Sequence, residues 1–318
     1  MDPEARVAVV GGSSLLGGAI VRALTRLGYR SVFSLPGDGP DLADAAAIDT
    51  FFAQTRPAYV VVASVRAGGI RANERWPADF MAQNLLADTN VIAAAHRHRV
   101  RKLLYLGSSC AYPRQCRQPM RIEDLMTGPL EPTSEAYALA KLAGITLCQA
   151  FRRQYADDFV AAIPPDTFGP QDDFSDESAH VVAALIRRLH DAKKRDAPRA
   201  TVWGTGRARR EFMFIDDVAD ACVLVMQRYS ADAPINLGGG VRVSIREVAE
   251  LIREVVGYQG VLEFDASRPD GMLEKALDGA QLRALGWAPS TDLRTGLVAT
   301  YAWFRAYAGM PAGMGERK

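Results

Sequence analysis

Hydrophobic residues in the first half of the chain occur in short continuous runs separated by helical patterns. The runs RVAVVGG, SVFSL, YVVVAS, KLLYLGSS and VAAIPP are apolar throughout, and apolar residues recur at helical spacing in GGAIVRALTRLG. Continuous runs are typical of strands covered on both faces, as in the parallel strands of βαβ units. The pattern predicts an α/β fold built on a doubly wound parallel sheet of the Rossmann type. Ligands bind such sheets at the carboxyl ends of the strands.

The pattern becomes less regular after Pro165. Polar loops at PQDDFSDES and DAKKRDAPRA alternate with helices predicted near 178–193 and 245–257. We expect a smaller C-terminal α/β substrate domain packed over the carboxyl edge of the sheet. The predicted division is a dinucleotide-binding domain at 1–164 with a return segment at about 212–240, a substrate domain at 165–211 and 241–309, and a frayed tail at 310–318.

Composition and charge argue against several classes of binding partner. The net charge is +1 and both signs are scattered along the chain, which argues against a nucleic-acid surface. No apolar run approaches the roughly 20 residues that span a bilayer, and the acidic start MDPEARVAVV predicts no signal peptide. The four cysteines form no CxxC pair and no zinc spacing. We therefore expect free thiols, a cytoplasmic location and no metal site.

A glycine-rich turn, VVGGSSLLGGAI, follows the first strand and opens the first helix. Gly11 allows a tight turn and Gly17 allows close packing of the helix on the strand, the context that a dinucleotide pyrophosphate requires. The alternative is a plain connecting turn. Ser14 occupies the middle position of the GxxGxxG pattern of extended short-chain dehydrogenases, where a side chain narrows the approach to the pyrophosphate. Neither Ser13 nor SLPGDGPD after the second strand offers the cation that a 2′-phosphate needs, which favours NAD.

Two further motifs carry possible chemistry. In GSSCAYP, Ser108 could polarise a substrate carbonyl and Cys110 could remove a proton from the adjacent carbon, although a small buried cysteine in a turn is the alternative. In YALAK, Tyr137 and Lys141 have i, i+4 spacing and share one helical face. Lys141 would favour the ionised phenol. With an upstream strand ending in GSS, the pair resembles the Ser-Tyr-Lys set of short-chain dehydrogenases and reductases.

Longer segments carry a closer resemblance, to one family within this superfamily. The segments GGIRAN, GSSCAYP, TGPLEPTSEAYALAKLAGITLC, FGPQDDF, SAHVVAALIRR, WGTGRARREFMFIDD and FDASRPDG occur in the order and nearly the spacing of the GDP-L-fucose synthase family. The resemblance covers about residues 5–305. Members of that family are bifunctional 3,5-epimerases and reductases of GDP-4-keto-6-deoxymannose. The chain is therefore expected to act on a nucleotide-diphosphate sugar with NADP as the family's cofactor, and to form a homodimer.

The resemblance also implies roles for individual residues. It implies a reductase set of Ser108, Tyr137 and Lys141, with Cys110 as the base at C3 and C5 and His180 as the matching acid. The cofactor residues that it implies are Gly11, Ser14, Leu16, Gly17, Leu106, Gly107, Pro165 and Asp166. The substrate residues that it implies are Arg188, Trp203 and Arg210 at the nucleotide diphosphate, with Asp270 reaching the nucleotide.

The chain departs from the family on the cofactor side. Ser13 and Gly37 occupy the two arginine positions typical of NADP binding, and PPDTFG replaces PTNLYG, so that Pro165 and Asp166 replace a hydroxyl and an amide. These changes leave open an enzyme that only epimerises or only reduces a related GDP-sugar such as a 6-deoxyheptose. A catalytically silent dinucleotide-binding regulator is the alternative from another class.

Overall fold

The computed structural model describes residues 1–35, 39–63 and 66–307. The strands in these ranges include all five apolar runs predicted from the sequence. They are β1 (Arg6–Val10), β2 (Ser31–Leu35), β3 (Tyr59–Val62), β4 (Lys102–Leu106), β5 (Phe159–Ile163), β6 (Asp166–Phe168), β7 (Arg199–Trp203), β8 (Arg209–Phe214), β9 (Ile235–Asn236), β10 (Val241–Ser244), β11 (Val261–Asp265) and β12 (Glu274–Lys275).

The helices follow most of the strands of the first half directly. They are α1 (Leu15–Arg26), α2 (Ala45–Thr55), α3 (Ile70–Arg75), α4 (Pro77–Arg97), α5 (Glu135–Tyr155), α6 (Val181–Lys194), α7 (Ile215–Arg228), α8 (Ile245–Val256), α9 (Ala280–Ala284) and α10 (Leu293–Tyr307). The two helices predicted in the second half are confirmed as α6 and α8. Helix α6 begins after His180 because that residue is still extended, with φ −72° and ψ 165°.

Six strands form one parallel sheet in the order β2-β1-β3-β4-β5-β9. Successive residues of β1 point to opposite faces, and both faces are covered. Val9 packs in a core with α1 and α7, whereas Val10 packs in a core with α2, α4 and α5. Burial on both sides explains why the strands are apolar without alternation. The predicted α/β fold with a doubly wound parallel sheet is confirmed.

The second half of the chain builds two smaller sheets. Strand β8 pairs with β10 antiparallel and with β6 and β12 in parallel, and β7 pairs with β11 in parallel. A separate hydrophobic core lies among α6, α8 and α10, with Ile186, Val248 and Leu297 fully buried. Between the two regions, α7 packs on α1 and β9 joins the large sheet. The domain boundaries stay a prediction.

This topology determines where a ligand can bind. The strand order reverses between β1 and β3, the point at which open α/β sheets leave a crevice beyond their carboxyl ends. Gly11 follows β1 and Gly107 follows β4 at that edge. In residues 1–35, 39–63 and 66–307, no helix is both long and apolar enough to cross a bilayer. Gly37 and the predicted tail at 310–318 lie outside the described residues.

Candidate active site

The turn after β1 brings the backbone of Gly11 against the first turn of α1. Gly11 has φ 78°, a left-handed conformation that favours glycine. A Cβ added at Gly17 would lie 2.0 Å from the Gly11 carbonyl oxygen, so a larger residue does not fit. Leu16 is half-buried in the same helical turn. A helix N-terminus in this position offers backbone N–H groups and the positive end of its dipole to phosphate. The turn therefore fits a dinucleotide pyrophosphate.

Ser14 fits the middle position of the glycine pattern without backbone strain. Its φ of −72° and ψ of 162° are extended values that any residue adopts. Its hydroxyl donates to the Gly11 carbonyl at 2.6 Å and accepts the Gly17 N–H at 3.1 Å. Ser14 is thus the N-cap of α1, an interaction worth about 1 kcal/mol. The Ser14 side chain, which departs from the glycine pattern, is hydrogen bonded within the turn itself. Ser13, which precedes it, is exposed.

The end of β4 places a serine hydroxyl and a thiol two residues apart. Leu106 is fully buried, and a Cβ at Gly107 would lie 2.9 Å from Ile145 Cδ1, so the glycine lets α5 pack against this edge. Ser108 Oγ accepts the N–H of Cys110 at 3.2 Å and caps a short 3₁₀ turn. Cys110 is half-buried. Its thiol is therefore neither sealed in the core nor fully exposed.

Tyr137 and Lys141 lie near the start of α5, next to the end of β4. The ring of Tyr137 packs edge-on against Phe80 of α4, with centroids 6.2 Å apart and an interplanar angle of 84°. Lys141 is completely buried, and its Nζ is 3.4 Å from Asp88 Oδ2 and 4.8 Å from the ring centroid of Tyr105. A buried ion pair therefore accompanies the predicted tyrosine–lysine pair.

The sequence reasoning missed Asp88 and Tyr105. Tyr105 donates a hydrogen bond from its hydroxyl to Asp88 Oδ2 at 2.6 Å. Burial, and then the charge of Asp88, raise the pKa of Tyr105 well above its ordinary value. A sequence signal existed, because an acid on the apolar face of a helix needs a buried partner. That buried face of α4 contains Phe80, Asn84, Ala87, Asp88, Val91 and Ile92.

A second buried ion pair lies on the C-terminal side of the site. Asp166 Oδ1 is 2.5 Å from Lys275 Nζ, and Asp166 Oδ2 is 3.8 Å from Arg210 Nε. The three side chains are mostly buried, at 27%, 11% and 10% exposed. Strand register brings them together, because β8 pairs with β6 and with β12, where Lys275 is the register partner of Arg210. The sequence reasoning noted the charge of Asp166 and missed Lys275.

The electrostatics of this cluster tie it to the predicted base and acid. Burial by itself disfavours the charge of Lys275, but Asp166 and a Cys110 thiolate outweigh it and raise the lysine pKa. Burial likewise opposes ionisation of Asp166, and the charges of Lys275 and Arg210 outweigh it, so the pKa of Asp166 is lowered. Burial among protein atoms lowers the pKa of His180, although solvent still reaches its side chain from the cleft.

The loop before His180 packs on the segment that leads into α3. The N–H of Gly69 donates to the Ser178 carbonyl at 2.9 Å. A Cβ at Gly68 would lie 3.1 Å from the Phe80 ring, the same ring that contacts Tyr137. Gly68 and Gly69 of the GGIRAN motif thus contact both the loop before His180 and the Phe80 ring, which packs against Tyr137 of α5.

An exposed aromatic side chain marks the outer end of the cleft. Trp203 is 37% exposed, and the guanidinium carbons of Arg188 and Arg268 lie 5.3 Å and 4.9 Å from its ring centroid. Burial lowers the pKa of Arg188, whose Nη1 also donates to the Thr201 carbonyl at 2.8 Å. An indole flanked by two cations can stack a base and bind phosphate. Arg268 was not predicted.

Asp270 is already hydrogen bonded within the protein. Its Oδ1 accepts the Thr205 N–H at 2.8 Å and its Oδ2 accepts the Thr205 hydroxyl at 2.7 Å. The Asp270 carbonyl accepts from Arg210 Nη2 at 2.8 Å. Asp270 therefore joins the loop after Trp203 to the arginine that faces Asp166. Pro165, the other replacement in PPDTFG, is buried next to Asp166.

The described part of the chain holds no group of three or more His, Cys, Asp or Glu side chains placed to bind a metal ion. All four cysteines are free thiols. The candidate site thus comprises a dinucleotide-type glycine turn after β1, a serine and a half-buried thiol after β4, the tyrosine–lysine pair of α5, and the cation-flanked Trp203.

Comparison with known proteins identifies the family. The profile of the NAD dependent epimerase/dehydratase family matches residues 7–238. The chain belongs to this family. GDP-L-fucose synthase 1 of Arabidopsis thaliana is 46% identical over 303 residues, which are 95% of this chain and 94% of the relative. The family resemblance carried by the sequence motifs is therefore confirmed.

Solved structures agree with this assignment. A GDP-6-OMe-4-keto-L-xylo-heptose reductase from C. jejuni has a TM-score of 0.90 at 29% identity, covering 96% of this chain and 99% of that chain. A GDP-L-fucose synthetase from Naegleria fowleri bound to NADP has a TM-score of 0.88 at 26% identity, covering 98% and 95% of the two chains. This chain is an NAD(P)-dependent enzyme of the epimerase family.

Proposed function

We propose that this enzyme converts GDP-4-keto-6-deoxy-D-mannose to GDP-L-fucose by epimerisation at C3 and C5 followed by reduction at C4. The observation that carries the proposal is the buried Asp166–Lys275 ion pair, whose lysine is also influenced by the charge of Cys110, in a chain that also carries Tyr137 one helical turn before the buried Lys141. An epimerase needs a base beside an acidified carbon, and a reductase needs a proton donor at the carbonyl. The relative from Arabidopsis thaliana carries the name of this activity.

Epimerisation begins at the C–H bonds next to the C4 ketone. Cys110, as thiolate, would take the proton, and the electron pair would move into the C4 carbonyl to form an enolate. Ser108 and Tyr137 would donate hydrogen bonds to that oxygen, and each such donor is worth about 10²–10³-fold in rate. His180 would then return a proton to the opposite face of the carbon. The positive charge of Lys275 lies on the Cys110 side of this site.

Reduction uses the same carbonyl. A bound nicotinamide would supply the hydride for C4. Tyr137 would give the resulting oxyanion its proton, and Lys141 would stabilise the phenolate that remains. The turn of Gly11 and Gly17, capped by Ser14, would hold the pyrophosphate of the cofactor, with Leu16, Leu106 and Gly107 alongside. Trp203, Arg188 and Arg210 would hold the nucleotide diphosphate of the sugar.

Asp166 belongs on the substrate side in this proposal. Its pairing with Lys275 and Arg210 supports a role next to the sugar and its diphosphate, in place of the cofactor contact expected from the sequence. Asp270 would act through Arg210 and Thr205, to which it is hydrogen bonded.

The proposal extends to the choice between NADH and NADPH. Ser13 is exposed in the glycine turn and offers a hydroxyl where the NADP-type pattern has a guanidinium. We expect NADH to be accepted at least as well as NADPH, whereas the relative from Naegleria fowleri was solved with NADP. The ratio of kcat/KM for the two cofactors measures this preference.

A homodimer is the expected assembly. Leu86 on α4 and Leu139 on α5 are 52% and 42% exposed, and the two helices pack on each other. Exposed leucines on adjacent helices support contact with a second copy. Light scattering on the purified chain measures its mass in solution, and a monomer at micromolar concentration would contradict the dimer.

The test is incubation with GDP-4-keto-6-deoxy-D-mannose in D₂O, with and without NADH or NADPH. We expect deuterium at C3 and C5 and the oxidation of one nicotinamide per sugar. Deuterium exchange without oxidation in the presence of cofactor would identify an epimerase only, and oxidation without exchange a reductase only. Cofactor binding with neither signal would refute this substrate. A GDP-4-keto-6-deoxyheptose then separates a heptose enzyme, the activity in the name of the relative from C. jejuni, from a silent regulator.

A further inference from the structure

The reductase lysine is held by a carboxylate from a different helix. Lys141 is 0% exposed and Asp88 is 2% exposed, with Nζ 3.4 Å from Oδ2. A completely buried ammonium is stable only with a counter-charge close by. Asp88 supplies that charge from the core face of α4.

The pair is braced by the strand between the two helices. Tyr105 of β4 donates to Asp88 Oδ2 at 2.6 Å, and the same ring lies 4.8 Å from Lys141 Nζ. Its approach depends on Gly144 of α5, where an added Cβ would lie 2.3 Å from the Tyr105 hydroxyl. Asp88 Oδ1 is buried and accepts no hydrogen bond from the described residues. Oδ2 is therefore the oxygen through which Asp88 is fixed, and it binds both partners.

We propose that Asp88, braced by Tyr105, is a positioning residue that keeps Lys141 charged and fixed beside Tyr137. The inference rests on the proposed function, because it assigns Lys141 to the reduction step. Asp88 is only 2% exposed and acts through the lysine with which it pairs. A variant that loses only this carboxylate would leave the Lys141 ammonium buried without its counter-charge.

The other titratable groups near the pair do not replace Asp88. Tyr105 faces it from β4, and Tyr137 and Cys148 face it from α5. Burial and the charge of Asp88 raise the pKa of both Tyr105 and Cys148, so both remain neutral across the working pH range. Of Asp88, Tyr105 and Cys148, Asp88 is therefore the one that offers Lys141 a negative charge.

The chain offers a direct way to observe this lysine. It contains six lysines, so a sample with ¹³Cε-labelled lysine gives few NMR signals to assign. It also offers a matched control. Lys102 at the opposite end of β4 is 9% exposed and pairs with Asp158 at 3.6 Å. Burial lowers the pKa of Lys102 and the charge of Asp158 opposes this effect. Asp158→Asn thus removes the carboxylate partner of a different buried lysine, which lies away from the site.

We expect Asp88→Asn to shift the ¹³Cε resonance of Lys141, because its buried counter-charge at 3.4 Å is gone, and to leave the resonance of Lys102 unchanged. Asp158→Asn should shift the resonance of Lys102 and lower its pKa, since Asp158 raises it, and should leave the resonance of Lys141 unchanged. In the same variants, Asp88→Asn should reduce kcat for hydride transfer about tenfold or more at pH 9, with little change in the KM of the sugar. Asp158→Asn should retain the wild-type kcat.

An unchanged Lys141 resonance in Asp88→Asn would overturn the inference, and so would a shifted resonance together with wild-type kcat at pH 9. If Asp88→Asn does not fold, Tyr105→Phe serves in its place, with a smaller shift expected in the same direction and no shift overturning the inference. Failure of the proposed function is separate: wild-type enzyme would then oxidise no NADH or NADPH with the keto sugar, while the Lys141 resonance would still report on Asp88.

Discussion

Asp166 and Lys275 form an ion pair in the cleft, with Oδ1 and Nζ 2.5 Å apart. Each member of the pair has a further neighbour. Arg210 approaches the second carboxylate oxygen of Asp166, and the charge of Cys110 acts on Lys275. Asp166 stands where the family pattern has an amide. The chain therefore neutralises part of the positive charge at the predicted base, a feature that an amide would not provide.

Replacing Asp166 tests this relationship. We expect Asp166→Asn to move the basic limb of C3 and C5 deuterium exchange to lower pH, because burial lowers the pKa of Lys275 and Asp166 no longer opposes it. The labelled-lysine spectrum should show Lys275 losing its proton at lower pH, since Asp166 raises the pKa of that lysine. Glu263→Gln, which removes a surface partner of Arg199, is the control. An unchanged exchange profile would separate Asp166 from the chemistry.

Cys110 is the residue on which epimerisation depends. We expect Cys110→Ala to reduce deuterium exchange at C3 and C5 by about 10²-fold or more, because no other base lies at that position. The affinity for NADH, measured by nicotinamide fluorescence, should stay within about twofold, since the glycine turn is untouched. Cys116→Ala removes another half-buried thiol and serves as the control. Wild-type exchange in Cys110→Ala would remove the thiol from the mechanism.

Two adjacent glycines in α1 allow a matched test of the cofactor turn. Gly17→Ala should lower the free energy of unfolding by about 1–3 kcal/mol and abolish NADH binding, because its Cβ would lie 2.0 Å from the Gly11 carbonyl. Gly18→Ala places its Cβ 3.4 Å from the Gly12 carbonyl, an ordinary contact. Helix propensity should make that variant more stable by up to about 1 kcal/mol. Urea unfolding and nicotinamide fluorescence measure both effects, and equal losses would contradict the packing argument.

The stability of the protein should depend on pH through Asp172. Burial raises the pKa of this carboxyl from 3.8 to about 7, and its Oδ2 accepts no hydrogen bond from the described residues. Between about pH 4 and 7 the folded state therefore holds a proton that the unfolded state has released. The free energy of unfolding should fall as pH rises through that window, by roughly 4 kcal/mol, and level off above it.

Asp172→Asn should remove this contribution, so that the variant is more stable than wild type at pH 8 and similar at pH 4. Asp173→Asn, next in sequence and exposed, should keep the wild-type dependence. Guanidinium unfolding at several pH values measures the difference. Parallel pH profiles for wild type and Asp172→Asn would contradict the assignment.

The site was predictable where its parts are local in sequence. The glycine turn depends on residues within one strand-to-helix connection, and Tyr137 and Lys141 share a face because a helix repeats every 3.6 residues. Even there the sequence did not reveal that the Ser14 hydroxyl caps α1 with two hydrogen bonds. The partner of Lys141 was also missed, although the acid on the buried face of α4 was a signal.

The sequence by itself determined the α/β class, the order of strands and helices, and the position of the glycine turn, because apolar periodicity and backbone conformation are local properties. The tertiary structure decided which charges meet. Lys275 reaches Asp166 only because β8 pairs with both β6 and β12, and Asp88 reaches Lys141 only because α4 and α5 pack across Tyr105. Ion pairs between distant segments follow from strand register and helix packing, which no short stretch of sequence encodes.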